Sequence, residues 1–225
     1  MGVNTMSSET DLDFFQLAAN MRAMRRLKPD PVPMALIWKV LNAGVQAPSG
    51  QNTQPWKFVL VSDARDKAWF ADQYANAMET RFGLPRDPAE RGATRRRGQL
   101  RAIYHQMDHL QEAPYLLLVC GERDWPFKVA EADRVGLAPP NYGAVYPCVQ
   151  NILLACRSVG LGAALTTMHQ VFEEALHEYF QIPIDYGVVV TIPIGYPLGQ
   201  FGPVTRIPAE QKTYLNRWGE APVDA

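Results

Sequence analysis

Several groups of side chains in this 225-residue sequence have the types and spacing to do chemistry. Arg22, Arg25 and Arg26 stand together in Met21-Arg22-Ala23-Met24-Arg25-Arg26-Leu27. Arginine keeps its charge and offers a planar fork of donors, so a phosphate monoester is one ligand for such a cluster. The other reading is a helix C-terminus, where cations complement the negative dipole end. The segment Ala47-Pro48-Ser49-Gly50-Gln51-Asn52-Thr53-Gln54-Pro55-Trp56 places polar side chains between two prolines, directly before an apolar run. A stiff, donor-rich loop of this kind can grip a polar planar ligand. Equally, Asn52 and Gln54 can cap local backbone groups. In Gly160-Leu161-Gly162-Ala163-Ala164-Leu165-Thr166-Thr167, Gly160 suits a helix C-cap and Gly162 a close approach into a strand. Arg206, within Pro203-Val204-Thr205-Arg206-Ile207-Pro208, reads by itself as surface charge.

Other patterns lead elsewhere. The Gly160-x-Gly162 pair follows a helix and lacks a third glycine, which argues against a dinucleotide fingerprint. His105 and His109 are spaced to share a helix face, but Gln106 stands where a zinc protease needs Glu. Ser49 lies outside any Gly-x-Ser-x-Gly elbow. The run Arg95-Arg96-Arg97 lacks interleaved aromatics and reads as a solvated helix face.

The elements that must position these groups follow from periodicity and breakers. Asp11 can cap a helix running to about Met24, and Pro33 suits the first turn of the next, whose apolar face is Leu36, Ile37, Val40, Leu41 and Val45. Residues 57–62 read as a strand, 64–79 as a helix, and 81–98 as a basic excursion broken by Gly and Pro, before a helix to Glu112. Tyr115 to Cys120 is a buried strand, 122–141 irregular, and Val145 to Val159 an apolar helix. A short strand from Ala163 to Thr167, a helix over 170–180 and a strand from Tyr186 to Ile194 complete the pattern. Some connections are short enough for antiparallel pairing, so the fold expected is α+β, with a mixed, largely antiparallel central sheet flanked by helices. Residues 1–10 are expected to be a disordered tail and 11–225 a single domain, with a lid excursion at 80–110 and an extended arm at 198–225.

Composition narrows the function classes. Hydrophobic residues make up 47%, charged residues 20%, and the formal net charge is −1. That balance gives no general attraction to nucleic acid or to a membrane. No run approaches the roughly 18 apolar residues of a membrane span, and residues 1–13 lack the pattern of a secretory signal. Cys120, Cys148 and Cys156 sit in apolar stretches and read as reduced, buried thiols, so a cytoplasmic location is expected.

Taken together, the arginine segment, the Ala-Pro-Ser-Gly-x-Asn-x-Gln-Pro-Trp loop and Leu165-Thr166-Thr167 resemble the FMN-dependent nitroreductase family, from about Asp13 to Trp218. The resemblance implies a nitroreductase-like fold, and a homodimer with FMN at the interface and a C-terminal tail swapped around the partner. It implies that Arg22, Ala23, Arg25, Pro48, Ser49, Asn52, Gln54, Leu165, Thr166 and Arg206 bind the cofactor. Thr167 is then the donor to the flavin ring nitrogen that receives hydride. Met21, Ala23 and Leu27 depart from the family's arginine, small polar and aromatic residues at their positions. The implied activity is a ping-pong reduction by NAD(P)H of a nitroaromatic, quinone or related small-molecule acceptor. Alternatives are a flavin storage or sensing protein, a flavin-fragmenting enzyme, and a reductive dehalogenase of halotyrosines. The last carries a Glu-x-x-x-Tyr lid motif that residues 70–104 lack.

Overall fold

β2 (Tyr115–Glu122), whose sequence is Tyr-Leu-Leu-Leu-Val-Cys-Gly-Glu, is apolar without alternation because both of its faces are covered. In the computed structural model, which describes residues 13–91 and 98–221, it is a central strand of a four-stranded sheet. The order is β1 (Trp56–Val61), β2, β4 (Tyr186–Gly195), β3 (Gly162–Ala163), and every pair is antiparallel. Leu117 and Val119 face one apolar cluster, with Val190, Ile192 and Ile194 of β4. Leu116, Leu118 and Cys120 face another. Between Val119↔Val190 and Cys120↔Val188 the register slips, leaving Val189 as the extra residue of a bulge.

Helices cover both faces. α2 (Met34–Gly44) and α5 (Tyr142–Ser158) close the first cluster, joined by Trp56, which is an anchor of this core. α3 (Ala64–Phe82), α4 (Gly98–His109) and α6 (Glu173–Phe180) close the second. Gly44 lets α2 and α5 approach closely: a Cβ there would lie 2.6 Å from Ile152 Cγ1. Asp63 caps α3 by accepting from the amides of Arg65 and Asp66, and Asn141 caps α5 by accepting from Ala144.

Three of the boundaries that differ from expectation bear on the candidate site. α1 is short (Phe14–Asn20), and its cap is Asp13, which accepts from the Gln16 amide; Asp11 lies outside the described residues. Met21 is already extended, so Arg22, Arg25 and Arg26 do not end a helix and the helix-dipole reading of them fails. The reason is tertiary: the Met24 amide donates to Ala163 O at 2.9 Å, and Lys28 to Tyr196 O at 2.7 Å. The strand expected to reach Thr167 pairs only at Gly162–Ala163, then again at the isolated Thr166↔Thr191 bridge. The helix expected from 170 begins as a 3-10 turn over Met168–Phe172. Both the 1–10 tail and Arg95-Arg96-Arg97 lie outside the described residues.

Candidate functional site

The arginine segment runs as an extended ribbon between β3 and the start of the tail. Leu27 bridges Pro197, and the Leu198 amide donates to Arg26 O at 2.9 Å. Gly162 is required for this fit, since a Cβ there would lie 2.8 Å from Leu27 Cδ2 and 3.0 Å from Met24 Cβ. Held this way, Arg22, Ala23, Arg25 and Arg26 line a cavity of about 260 Å³ together with Arg101 from α4 and Gly199 of the tail. A side chain at residue 199 would crowd it, because a Cβ would sit 3.3 Å from Arg26 Nη2. Arg26 belongs to the arginine cluster read from the sequence, though the resemblance assigns it no role, whereas nothing in the sequence singles out Arg101. Only the packing of α4 against the ribbon brings Arg101 in, and no spacing rule announces that.

Thr166 exchanges both backbone hydrogen bonds with Thr191, at 2.8 and 3.0 Å, beyond the end of β3. Leu165 is 37% exposed, and Thr167 sits at φ −114, ψ 14. Among the described residues the amides of Leu165 and Thr167 have no partner in the chain, so this turn presents donors outward. Behind it lies His169, fully buried, whose Nε2–H donates to Val188 O at 2.8 Å. Burial holds its pKa below the usual imidazole value, against the hydrogen bond to Val188. No sequence signal marked His169, a single histidine in a polar turn.

The loop before β1 is strained. Gln51, Asn52 and Gln54 have φ of 52, 57 and 49, a left-handed conformation that side chains other than Asn and Asp seldom adopt. It is held by Gln54 N donating to Ser49 Oγ at 3.1 Å and by Gln54 Nε2 donating to Asn52 Oδ1 at 3.3 Å. Ser49 keeps its hydroxyl hydrogen and Asn52 its amide donors for an outside partner. Backbone strain of this kind clusters at ligand clamps and switch segments, which makes the loop a candidate.

A single chain does not bring these parts together. The loop enters the sheet at Trp56, which pairs Gly121 beside the Glu122↔Tyr186 end. The arginine ribbon lies at the Tyr115↔Ile194 end and beyond the opposite edge strand. Ten residues of β4 separate the two ends, roughly 30 Å at about 3.3 Å per residue. Arg206 is in neither group: its Nη1 donates to Thr205 O at 2.9 Å, and it lines a separate cavity with Ala18, Met21 and Gln150.

The titratable groups elsewhere argue against other chemistries. Burial pushes the Cys120, Cys148 and Cys156 thiols up to about 12, so they are neutral core residues at physiological pH. The His105 and His109 rings meet edge to face at 4.4 Å, and His109 is engaged with Glu112. A larger cavity of about 730 Å³ opens between α6 and Arg123, and none of the residues singled out from the sequence lines it.

An antiparallel sheet between two helical layers defines an α+β protein, and the arginine-lined cavity at one edge has the chemistry to take an anionic ligand. The Nitroreductase family model matches residues 18–196, and the chain belongs to that family. It is similar to the iodotyrosine deiodinase of Thermotoga neapolitana, 28% identical over 183 residues that cover 81% of this chain and 88% of the relative. It is also similar to the NADH dehydrogenase of Thermus thermophilus, 26% identical over 89% of this chain and 94% of that one. Among solved structures, an oxidised iodotyrosine deiodinase bound to FMN and 3-iodo-L-tyrosine superposes with a TM-score of 0.66. It is 25% identical and covers 91% of this chain and 98% of its own.

Proposed function

We propose that two copies of this chain form a homodimer that holds FMN non-covalently in two composite sites, and that it is an NAD(P)H-dependent oxidoreductase. The observation that carries this reading is the division of the candidate residues between opposite ends of the sheet. Arg22, Ala23 and Arg25 lie at the Ile194 end. Pro48, Ser49, Asn52 and Gln54 lie at the Tyr186 end. One flavin can meet both groups only if the loop comes from a second copy. Exposed Trp38 on α2 and Tyr142 and Tyr146 on α5 leave an apolar face suited to such an interface.

The residues present fit the cofactor. Arg22 and Arg25 bind its phosphate bidentately, while Leu165, Thr166 and the unpartnered Thr167 amide face the ring nitrogen. Ser49, Asn52 and Gln54 of the other copy read the polar edge of the ring, with Pro48 stiffening their loop. Arg206 closes over the phosphate once the exposed arm, residues 205–221, wraps the partner. FMN, when bound, supplies the acceptance and donation of hydride. The chain positions the ring and takes NAD(P)H and a nitroaromatic, quinone or related conjugated acceptor in turn, as a ping-pong cycle requires. The described parts of the 80–110 excursion, residues 80–91 and 98–110, serve as the lid over the acceptor, residues 92–97 lying outside the described ones, and buried reduced thiols suit a cytoplasmic setting. Among the described residues no helix is long and apolar enough to cross a membrane.

Anaerobic titration of the FMN-loaded protein with NADPH and then NADH tests the reading. Bleaching of the flavin bands, reversed by a nitroaromatic or quinone, is the expected result. A bound flavin that neither donor reduces would turn the assignment toward storage or sensing. Similarity to iodotyrosine deiodinases makes 3-iodotyrosine the second acceptor to try. Without Glu-x-x-x-Tyr in residues 70–104, iodide release is expected to be negligible.

A further inference from the structure

Arg22, Arg25, Arg26 and Arg101 bring four guanidiniums to one cavity of about 260 Å³. Among the described residues none of the four pairs with a carboxylate or donates a hydrogen bond within the chain. A phosphate monoester carries roughly −1.5 to −2 charges at pH 7, so the phosphate of FMN offsets about half of this charge. Arg22 and Arg25 suffice for it. Arg26 and Arg101 are left without a counter-charge, and Arg26 is half-buried. Arg101 also lines a second space of about 280 Å³ along α4, walled by Pro88, Tyr104, His105 and His109. The acid on that wall, Asp108, is already neutralised by Arg91 through contacts of 2.6 and 2.7 Å, so it does not repel an anion.

We propose that Arg26 and Arg101 hold a second phosphate beside that of FMN, the 2′-phosphate of NADPH, with its adenosine against the histidine-walled space along α4. The inference rests on the flavin reading above and deepens it by choosing between the two nicotinamide donors. NADH and NADPH differ only in that phosphate, a doubly charged group that two arginines recognise through charge-assisted hydrogen bonds. The chain therefore selects the phosphorylated dinucleotide.

The test uses the FMN-loaded protein and the oxidised nucleotides NADP⁺ and NAD⁺, which bind without turnover. FMN content is read first from the absorbance spectrum, and each nucleotide is then titrated by calorimetry. NADP⁺ is expected to bind at least about tenfold more tightly than NAD⁺. Arg101→Ala and Arg26→Ala should bring NADP⁺ to the level of NAD⁺, with FMN content and melting temperature unchanged, while Arg101→Lys recovers part of the preference. Equal affinities in the wild type overturn the inference. So does loss of FMN from a well-folded Arg101→Ala protein, since Arg101 would then serve the flavin phosphate. A wild type that takes up no FMN overturns the flavin reading itself, before any nucleotide is added.

Discussion

Arg25 and His169 occupy contrasting positions in the candidate site: one brings charge to the cavity, the other is buried behind the turn at Thr167 and bonded to Val188 O. On the proposed reading Arg25 contacts the phosphate of FMN, so replacing it with Ala is expected to lower FMN affinity roughly ten- to a hundredfold. Fluorescence titration of the apoprotein measures this, and unchanged affinity would take Arg25 out of the site. His169 gives a pH signature. Its pKa is lowered in the folded protein, chiefly by burial. The unfolded chain therefore binds more protons below about pH 6.5, and stability, full above that value, falls as pH drops through it. His105 is lowered in the same sense by burial and by His109, so it adds to the slope. Melting temperatures at pH 7.5 and 5.5 should show a smaller drop in His169→Gln than in the wild type; equal drops would exclude His169 as a source.

At the scale of elements, the loop over residues 48–54 keeps strain that its neighbours hold in place. Gln51 has φ 52 without the tolerance of Asn or Gly. Gln51→Gly is expected to stabilise the FMN-free protein by about 1 kcal/mol. Because a relaxed loop must be re-ordered on binding, FMN affinity should fall at the same time. Calorimetric melting and flavin titration measure the two effects, and a melting temperature that does not rise would deny the strain. Most elements were legible in the sequence because their signals are local: α2 and α5 by apolar periodicity, β1, β2 and β4 by continuous apolar runs. The arginine ribbon was misread as a helix end. Its residues favour a helix locally, but the backbone bonds from Met24 to Ala163 and from Lys28 to Tyr196 hold it extended.

For the whole molecule, the tail divides in two. Residues 198–204 are tied to their own chain, with Leu198 bonded to Arg26, Val204 to Ala19, and Phe201 under Arg157 at 4.1 Å. Residues 205–221 are exposed throughout, including Ile207, Tyr214, Leu215 and Trp218 at 90%. These exposed apolar side chains would be covered by the partner surface of the proposed dimer. Light scattering is expected to give about twice the 25.2 kDa chain mass. Truncation after Val204 should yield folded monomers that release FMN, and truncation after Tyr196 should do so at lower stability, since the ribbon loses its neighbour. A flavin-loaded dimer lacking residues 205–225 would sink the wrapped arm.

The sequence by itself determined the family and most elements, because an arginine segment, a proline-framed polar loop and apolar periodicity are each written within a few consecutive residues. Tertiary structure alone decided which of these groups share a cavity. Arg101 joins Arg22 and Arg25 only because α4 packs beside the ribbon. Ser49 and Asn52 are kept from them by the length of β4. Proximity across a sheet depends on register and layer packing, which residues far apart in the chain settle jointly and no local pattern records.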